Sequence, residues 1–237
     1  MGSGAKRVAI LQSNYIPWKG YFDLIGMVDE FIIFDTAQYT RRDWRNRNRI
    51  KTTNGVQWLT VPTGSDIDRR ICDVRLTNAR WPQKHWKTLQ QAYSPTPHFH
   101  RYEAFLKHVY LERRWETLSE LNQYLISTIA HEYLGITTRF ADSRDYRIGG
   151  SKLDRLMNLL AELKPDVYIS GPSAREYIEQ ERLLEMGIEL IYKSYDGYPE
   201  YPQRFPPFEH AVSILDLLFN VGADAPRHIW GWRDAPK

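Results

Sequence analysis

A single cysteine, Cys72, stands among the 237 residues of the chain. One thiol excludes an intrachain disulfide and a multi-thiolate metal centre, and it suits a reducing compartment. No run approaches the ~20 apolar residues that a membrane-spanning helix needs. The opening Met1–Arg7 is too polar for a secretory leader, and residues 1–6 read as a disordered or appended segment. The chain also lacks a Gly-x-Gly-x-x-Gly fingerprint, a Walker loop and a serine nucleophile elbow. His98, His100 and His108 have no metal-site spacing, and His131-Glu132 lacks the second histidine of a zinc-protease helix. These histidines read as surface or core residues, so neither a metal nor a cofactor is expected. A cytoplasmic protein of unspecified oligomeric state follows.

The 42% apolar and 26% charged content is that of a soluble globular protein. Its length suits one domain carrying an insert. Charge is small overall at +3 but unevenly placed. Residues 41–51 carry five arginines and Lys51 against Asp43, so the remainder of the chain is slightly acidic. A local cationic patch on a near-neutral protein points to a small anionic ligand rather than a long polyanion.

Two apolar runs, Val8–Leu11 and Phe31–Phe34, read as buried strands flanking a short helix over Tyr21–Asp29. That order predicts a parallel pair joined by a crossover. Asn54-Gly55 then marks a hairpin between Asn48–Lys51 and Val56–Val61, and Ile71–Leu76 alternates like another strand. Residues 81–134 turn helical, with Pro82 in the first turn of one helix and a capping box at Thr117/Glu120. Strand–helix alternation resumes with Thr138–Ala141, a helix capped by Ser151/Asp154, Val167–Ser170, a helix capped by Ser173/Glu176, and Ile188–Tyr192. Ser213–Val221 closes as a helix whose Asp216 and Asn220 are expected to bond to the sheet edge or to the loop Tyr198–Phe208. The predicted architecture is a Rossmann-like three-layer α/β fold with a mostly parallel sheet, a small β-hairpin extension and an inserted helical subdomain. One domain spans 7–222, with 223–237 left as a tail.

Ligands of open parallel sheets bind beyond the carboxyl ends of the strands. Gln12–Tyr21 begins there, and its Gln12, Tyr15, Trp18, Gly20 and Tyr21 are candidate ligand residues. Free amides and the positive end of a helix suit phosphate or carboxylate; Gly20 permits close approach; the aromatic rings suit a base or sugar. Packing of the same rings against the sheet edge is the alternative. Trp18-Lys19-Gly20-Tyr21 stands where nucleotidylyl-transferring α/β enzymes carry His-x-Gly-His, and without either histidine only nucleotide binding stays open.

Asp35–Lys51 follows the second strand. Alternation puts Arg45, Arg47 and Arg49 on one face, where they can hold a diphosphate, and Asn46 and Asn48 on the other. A solvated cationic edge strand is the plainer reading. Asp35, Gln38 and Trp44 come from the same stretch. Ser170, Gly171, Ser173 and Arg175 form the third strand-end segment, for which simple helix capping accounts only in part. His85, beside Lys84 between Trp81 and Trp86, is the candidate general base alongside Asp35.

Gln12-x-x-Tyr15-x-Pro17-Trp18-x-Gly20-Tyr21, Asp35-x-x-Gln38-Tyr39, Asn46-Arg47-Asn48-x-Ile50-Lys51, Trp58-Leu59-x-Val61-Pro62, Ser170–Ala174 with Tyr177, Tyr201-Pro202-Gln203 and Ser213–Asn220 with Gly222 resemble the WbqC family. That resemblance implies work on bacterial surface polysaccharide, the O-antigen of lipopolysaccharide. It implies transfer of a glycyl or related acyl unit to a nucleotide-linked amino sugar. The nucleotide sugar's diphosphate then falls to the arginines and its base to Trp18 or Tyr15, with an aminoacyl-tRNA or a carrier protein as possible donor. Asp35 or His85 would deprotonate the acceptor amine, and Asn46 and Asn48 would orient the acyl carbonyl. A glycosyltransferase remains an alternative. So does a non-catalytic module that grips a nucleotide or single-stranded RNA through Arg41–Lys51, Trp44 and Trp58.

Overall fold

A computed structural model describes residues 4–76, 79–150 and 152–233. The chain opens with β1 (Arg7–Leu11), α1 (Lys19–Gly26) and β2 (Glu30–Ile33), followed by the hairpin β3 (Arg47–Thr52) and β4 (Gly55–Thr60). Helices α2 (Trp81–Tyr93), α3 (Phe99–Lys107) and α4 (Leu118–Thr128) make up the insert, with α3 and α4 each running on into a π-helical turn. Then come β5 (Arg139–Asp142), α5 (Lys152–Leu163), β6 (Val167–Ser170), α6 (Gln180–Glu185), β7 (Glu189–Tyr192) and α7 (Ile214–Val221).

The main sheet has the order β5-β2-β1-β6-β7, and every neighbouring pair is parallel. Strands run outward from β1 through β2 to β5, then return to its other side at β6. The reversal lies between β1 and β6, a Rossmann-like layout whose crevice opens at their carboxyl ends.

Side chains that alternate along a strand face opposite sides of the sheet. Ala9, Phe31, Ile33, Val167 and Ile169 pack with α1, α7 and the helical insert. Val8, Ile10, Ile32 and Tyr168 pack with α5 and α6. Three layers result. On α1, Phe22, Leu24 and Ile25 are fully buried, each worth about 1.5–3 kcal/mol of transfer free energy. In the hairpin, Thr52 pairs with Gly55, whose φ of +91° takes the turn that a side chain resists.

Three expectations need correction. Ile71–Leu76 is no strand: Ile71–Asp73 forms a 3-10 turn whose amides bond to the carbonyls of Ala37 and Asp35. Its fully buried residues, Ile71 and Val74, lie three apart, so the effective period is that of the turn. Ser173 caps no α-helix. Pro172–Glu176 is a 3-10 turn that ends where Tyr177 swings to φ −139°, and α6 starts at Gln180. Residues 223–229 are no tail, for Gly222–His228 forms a 3-10 helix and Ile229 is fully buried. The cap assigned to Ser151 and the segment 1–3 lie outside the described residues.

Candidate functional site

At the carboxyl end of β1 the loop Gln12–Trp18 meets the basic segment before β3. Tyr15 N–H donates to Trp44 O at 2.9 Å. The Arg45 guanidinium donates to Gln12 Oε1 at 3.0 Å and to Asn14 Oδ1. Arg45 is therefore a clamp between two loops and has little left for a ligand. Arg49 is likewise committed, donating to Ala211 O at 2.8 Å with Glu209 at 3.8 Å. Arg47 differs. Its guanidinium lies 4.1 Å from the centre of the Trp58 ring, no carboxylate among the described residues pairs with it, and its buried Nε has no partner. Of the three arginines expected to share one anion, Arg45 and Arg49 are held by the fold and Arg47 alone keeps its guanidinium uncommitted.

The indoles of Trp44 and Trp58 sit 5.4 Å apart, each 41% exposed. A cavity of about 310 Å³ is lined by both, with Arg42, Asp43, Arg47 and Arg49. Trp44 is also a wall of a neighbouring cavity of about 290 Å³, completed by Asn14, Pro17, Trp18, Asn48 and Ala211. On its other flank, Arg42 and Arg47 are shared with a third cavity of about 370 Å³ containing Tyr39, Arg41, Asn46, Thr60 and Thr63. The first two form a groove between the β1 loop and the hairpin, and the third adjoins it across Arg42 and Arg47. A larger cavity, about 610 Å³, lies around the amino-terminal ends of β1 and β2, sharing no residue with this cluster.

The proposed bases stand elsewhere. Asp35 is fully buried and accepts hydrogen bonds from Ser13 N–H, Ser13 Oγ and Ser119 Oγ. Burial pushes its carboxyl up, opposed by those bonds. His85 is buried with Nδ1 at 2.8 Å from the Tyr15 hydroxyl and Nε2 at 3.2 Å from Thr60 O. Burial lowers its pKa to about 4, with Lys84 adding to the effect and the Thr60 bond opposing it. Neither group meets solvent, so neither can take a proton from a substrate in this arrangement.

Several other candidates prove to be structural. Tyr15 is fully buried, its hydroxyl also 2.6 Å from that of Tyr110, so no base can stack on it. Tyr21 is buried and donates to Gln12 O. Gly20 is close to Trp18 itself, since a β-carbon there would stand 2.3 Å from the indole. Asn48 donates to the carbonyls of Tyr15 and Ile16, and Asn46 to Val61 O, while Asn46 Oδ1 has no partner. Neither amide is placed to orient a carbonyl in the groove. Gln38 is exposed and bridges Arg70 through its backbone.

The third segment is only partly joined to the groove. Trp18 packs 5.2 Å from Tyr195, whose hydroxyl comes close to Gly171. Ser170 is buried at the end of β6, bonded to Tyr168. Ser173 and Arg175 are exposed, Arg175 over the Tyr192 ring, and neither lines the three cavities. Lys19 is buried under the loop that follows β7, donating to Pro199 O amid Tyr198, Tyr201 and Phe208, and burial lowers its pKa to about 8. Asp216 accepts from Tyr93, Tyr201 and Gln203, the loop bonding expected of it. Sequence reasoning missed Ala211 as a wall and Tyr195 as the ring packed behind Trp18, and nothing local to either residue signals that place.

No three His, Cys, Asp or Glu side chains gather as a cation site among the described residues, nor is any described helix long and apolar enough to cross a membrane. No solved structure matches the chain. It is 49% identical over 226 residues to the uncharacterized protein Rv1507c of Mycobacterium tuberculosis, covering 94% of this chain and 97% of that one. The profile of the WbqC-like protein family matches residues 12–228, from the loop after β1 to the 3-10 helix that follows α7. The chain belongs to the WbqC-like protein family.

Proposed function

We propose that the protein is a transferase that binds a nucleotide-linked amino sugar in the Trp18–Trp44–Trp58 groove and acylates its amine during bacterial surface-polysaccharide synthesis. The carrying observation is Arg47, a guanidinium stacked on Trp58 with no carboxylate partner among the described residues, beside a cavity walled by Trp18 and Trp44. An indole-lined space accepts a heterocycle, and a planar guanidinium next to it accepts phosphate oxygens bidentately. Glycyl or related acyl transfer rests on the family resemblance alone; no protein base is assigned to it.

Calorimetric titration with uridine diphosphate and with uridine-diphosphate amino sugars tests the reading. Binding in the micromolar range, with the amino sugar tighter than the bare nucleotide, supports it. Equal indifference to all of them removes it. The half-exposure of both Trp44 and Trp58 favours one competing reading, a stacking platform for single-stranded RNA. That reading requires a steep salt dependence from several released counterions, whereas one diphosphate gives a shallow one.

A further inference from the structure

We infer that the protein holds a second oxyanion pocket back to back with the nucleotide groove, with Arg42 and Arg47 as the shared wall. The groove side of this statement rests on the proposed function; the pocket itself does not.

The pocket is the cavity of about 370 Å³ that begins where the groove ends. The groove side takes Arg47 together with Trp58; the second side takes it together with Thr60, its cross-strand partner, and Thr63. Arg41, Arg42 and Arg47 line this space and no carboxylate does. Three guanidinium groups around one space give it a positive potential that favours an anion, though Arg41 and Arg42 are exposed and water screens them. The buried Arg47 Nε, a donor, has no partner among the described residues. Native interiors leave few such donors unmatched, so an orphan on a residue lining this space marks a seat for an acceptor. Arg42 holds φ at +55°, a conformation that non-glycine residues seldom adopt and that clusters at ligand sites.

Thr hydroxyls and guanidinium forks recognise the oxygens of a carboxylate or a phosphate. The occupant is therefore a small molecule bearing one of these groups, bound while the nucleotide is bound. Direct transfer needs such an arrangement. The single thiol, Cys72, is buried against Asp73, away from the groove and the second pocket alike, and cannot relay an acyl group between sites. Donor and acceptor must then be held together.

Inorganic phosphate and acetate titrated into free protein and into protein saturated with uridine diphosphate decide the matter. Phosphate or acetate should bind the nucleotide-saturated protein with little loss of affinity. Arg41→Ala, an exposed change that touches only the second cavity, should weaken that binding about fivefold or more and leave nucleotide affinity within about twofold. Trp58→Ala should do the reverse. The stronger of the two anions identifies the oxyanion class. Displacement of phosphate and acetate by the nucleotide, or indifference of both to Arg41→Ala, overturns the second pocket. Should uridine diphosphate fail to bind at all, the nucleotide reading fails, and Arg41→Ala against Trp58→Ala in the free protein still tests the pocket.

Discussion

Asn48 pins Ile16 in a left-handed backbone conformation. The amide of Asn48 donates to Ile16 O at 2.9 Å and to Tyr15 O at 3.0 Å, while Ile16 stands at φ +37°. A β-branched residue resists that region, so the surroundings must hold it there. Asn48→Ala should cost about 2–3 kcal/mol by leaving two buried carbonyls unmet, lowering Tm by roughly 5–10 °C. The same change should weaken nucleotide binding, because Asn48 and Trp18 line one cavity. A variant that melts like the parent would show that the loop keeps its shape without the amide.

Arg47→Ala should weaken binding of a nucleotide diphosphate at least about tenfold with little change in Tm. Among the described residues its guanidinium has no ion pair to lose, only the contact with Trp58. Arg47→Lys should restore charge without the planar stacking and recover affinity only in part. Titration calorimetry beside differential scanning calorimetry separates the effects. Full affinity in the alanine variant would take Arg47 out of the groove's chemistry.

His85 gives the protein an acid-sensitive core. Above its ordinary value of 6.5 the ring is neutral in both states; between 6.5 and about 4 only the unfolded chain takes the proton. Stability therefore falls as pH drops through that window, by up to about 3 kcal/mol, and His85 adds nothing further below it. Asp35 and Asp216, whose carboxyls burial pushes up, act in the opposite sense, because the folded state protonates first. The contrast between parent and His85→Gln in urea unfolding across pH 7 to 4 isolates the histidine. Parallel curves would contradict the buried neutral ring.

Asp23 joins α1 to two distant parts of the chain. It accepts from Arg233 at 2.9 and 2.6 Å, pairs with buried Lys193 at 2.8 Å, and receives the Tyr198 hydroxyl. Asp23→Ala leaves the Lys193 cation buried without its partner and should cost about 3–5 kcal/mol. Arg233→Ala leaves Asp23 with two partners and removes a part-exposed group, so it should cost roughly 1 kcal/mol. Chemical denaturation of the two variants gives the order, and equal losses would deny Lys193 its dependence on Asp23.

The strands, the hairpin and the helical insert were legible because their apolar periods are local. The same holds for the faces of residues 45–49, where half-buried arginines alternate with buried asparagines. What each arginine does was not legible. Arg45 is spent on Gln12 and Asn14, 33 and 31 positions away, and Arg49 on Ala211, 162 away. Asp35 looked like a base from its place after a strand, yet Ser119, 84 positions on, helps to seal it. A strand-end position tells where a site lies, but long-range partners decide which side chains in it remain free.

The central strand β1 acquires its two neighbours at very different moments. β2 follows almost at once, whereas the β6 side depends on residues such as Asp166, 160 positions from its partner Lys6. At ribosomal speeds of about 5–20 residues per second, that flank stays open for roughly 8–30 s of synthesis. During that interval Val8 and Ile10 belong to an exposed strand edge that can pair with other nascent chains. Yield in the cell should therefore depend on chaperone protection of the emerging amino-terminal half.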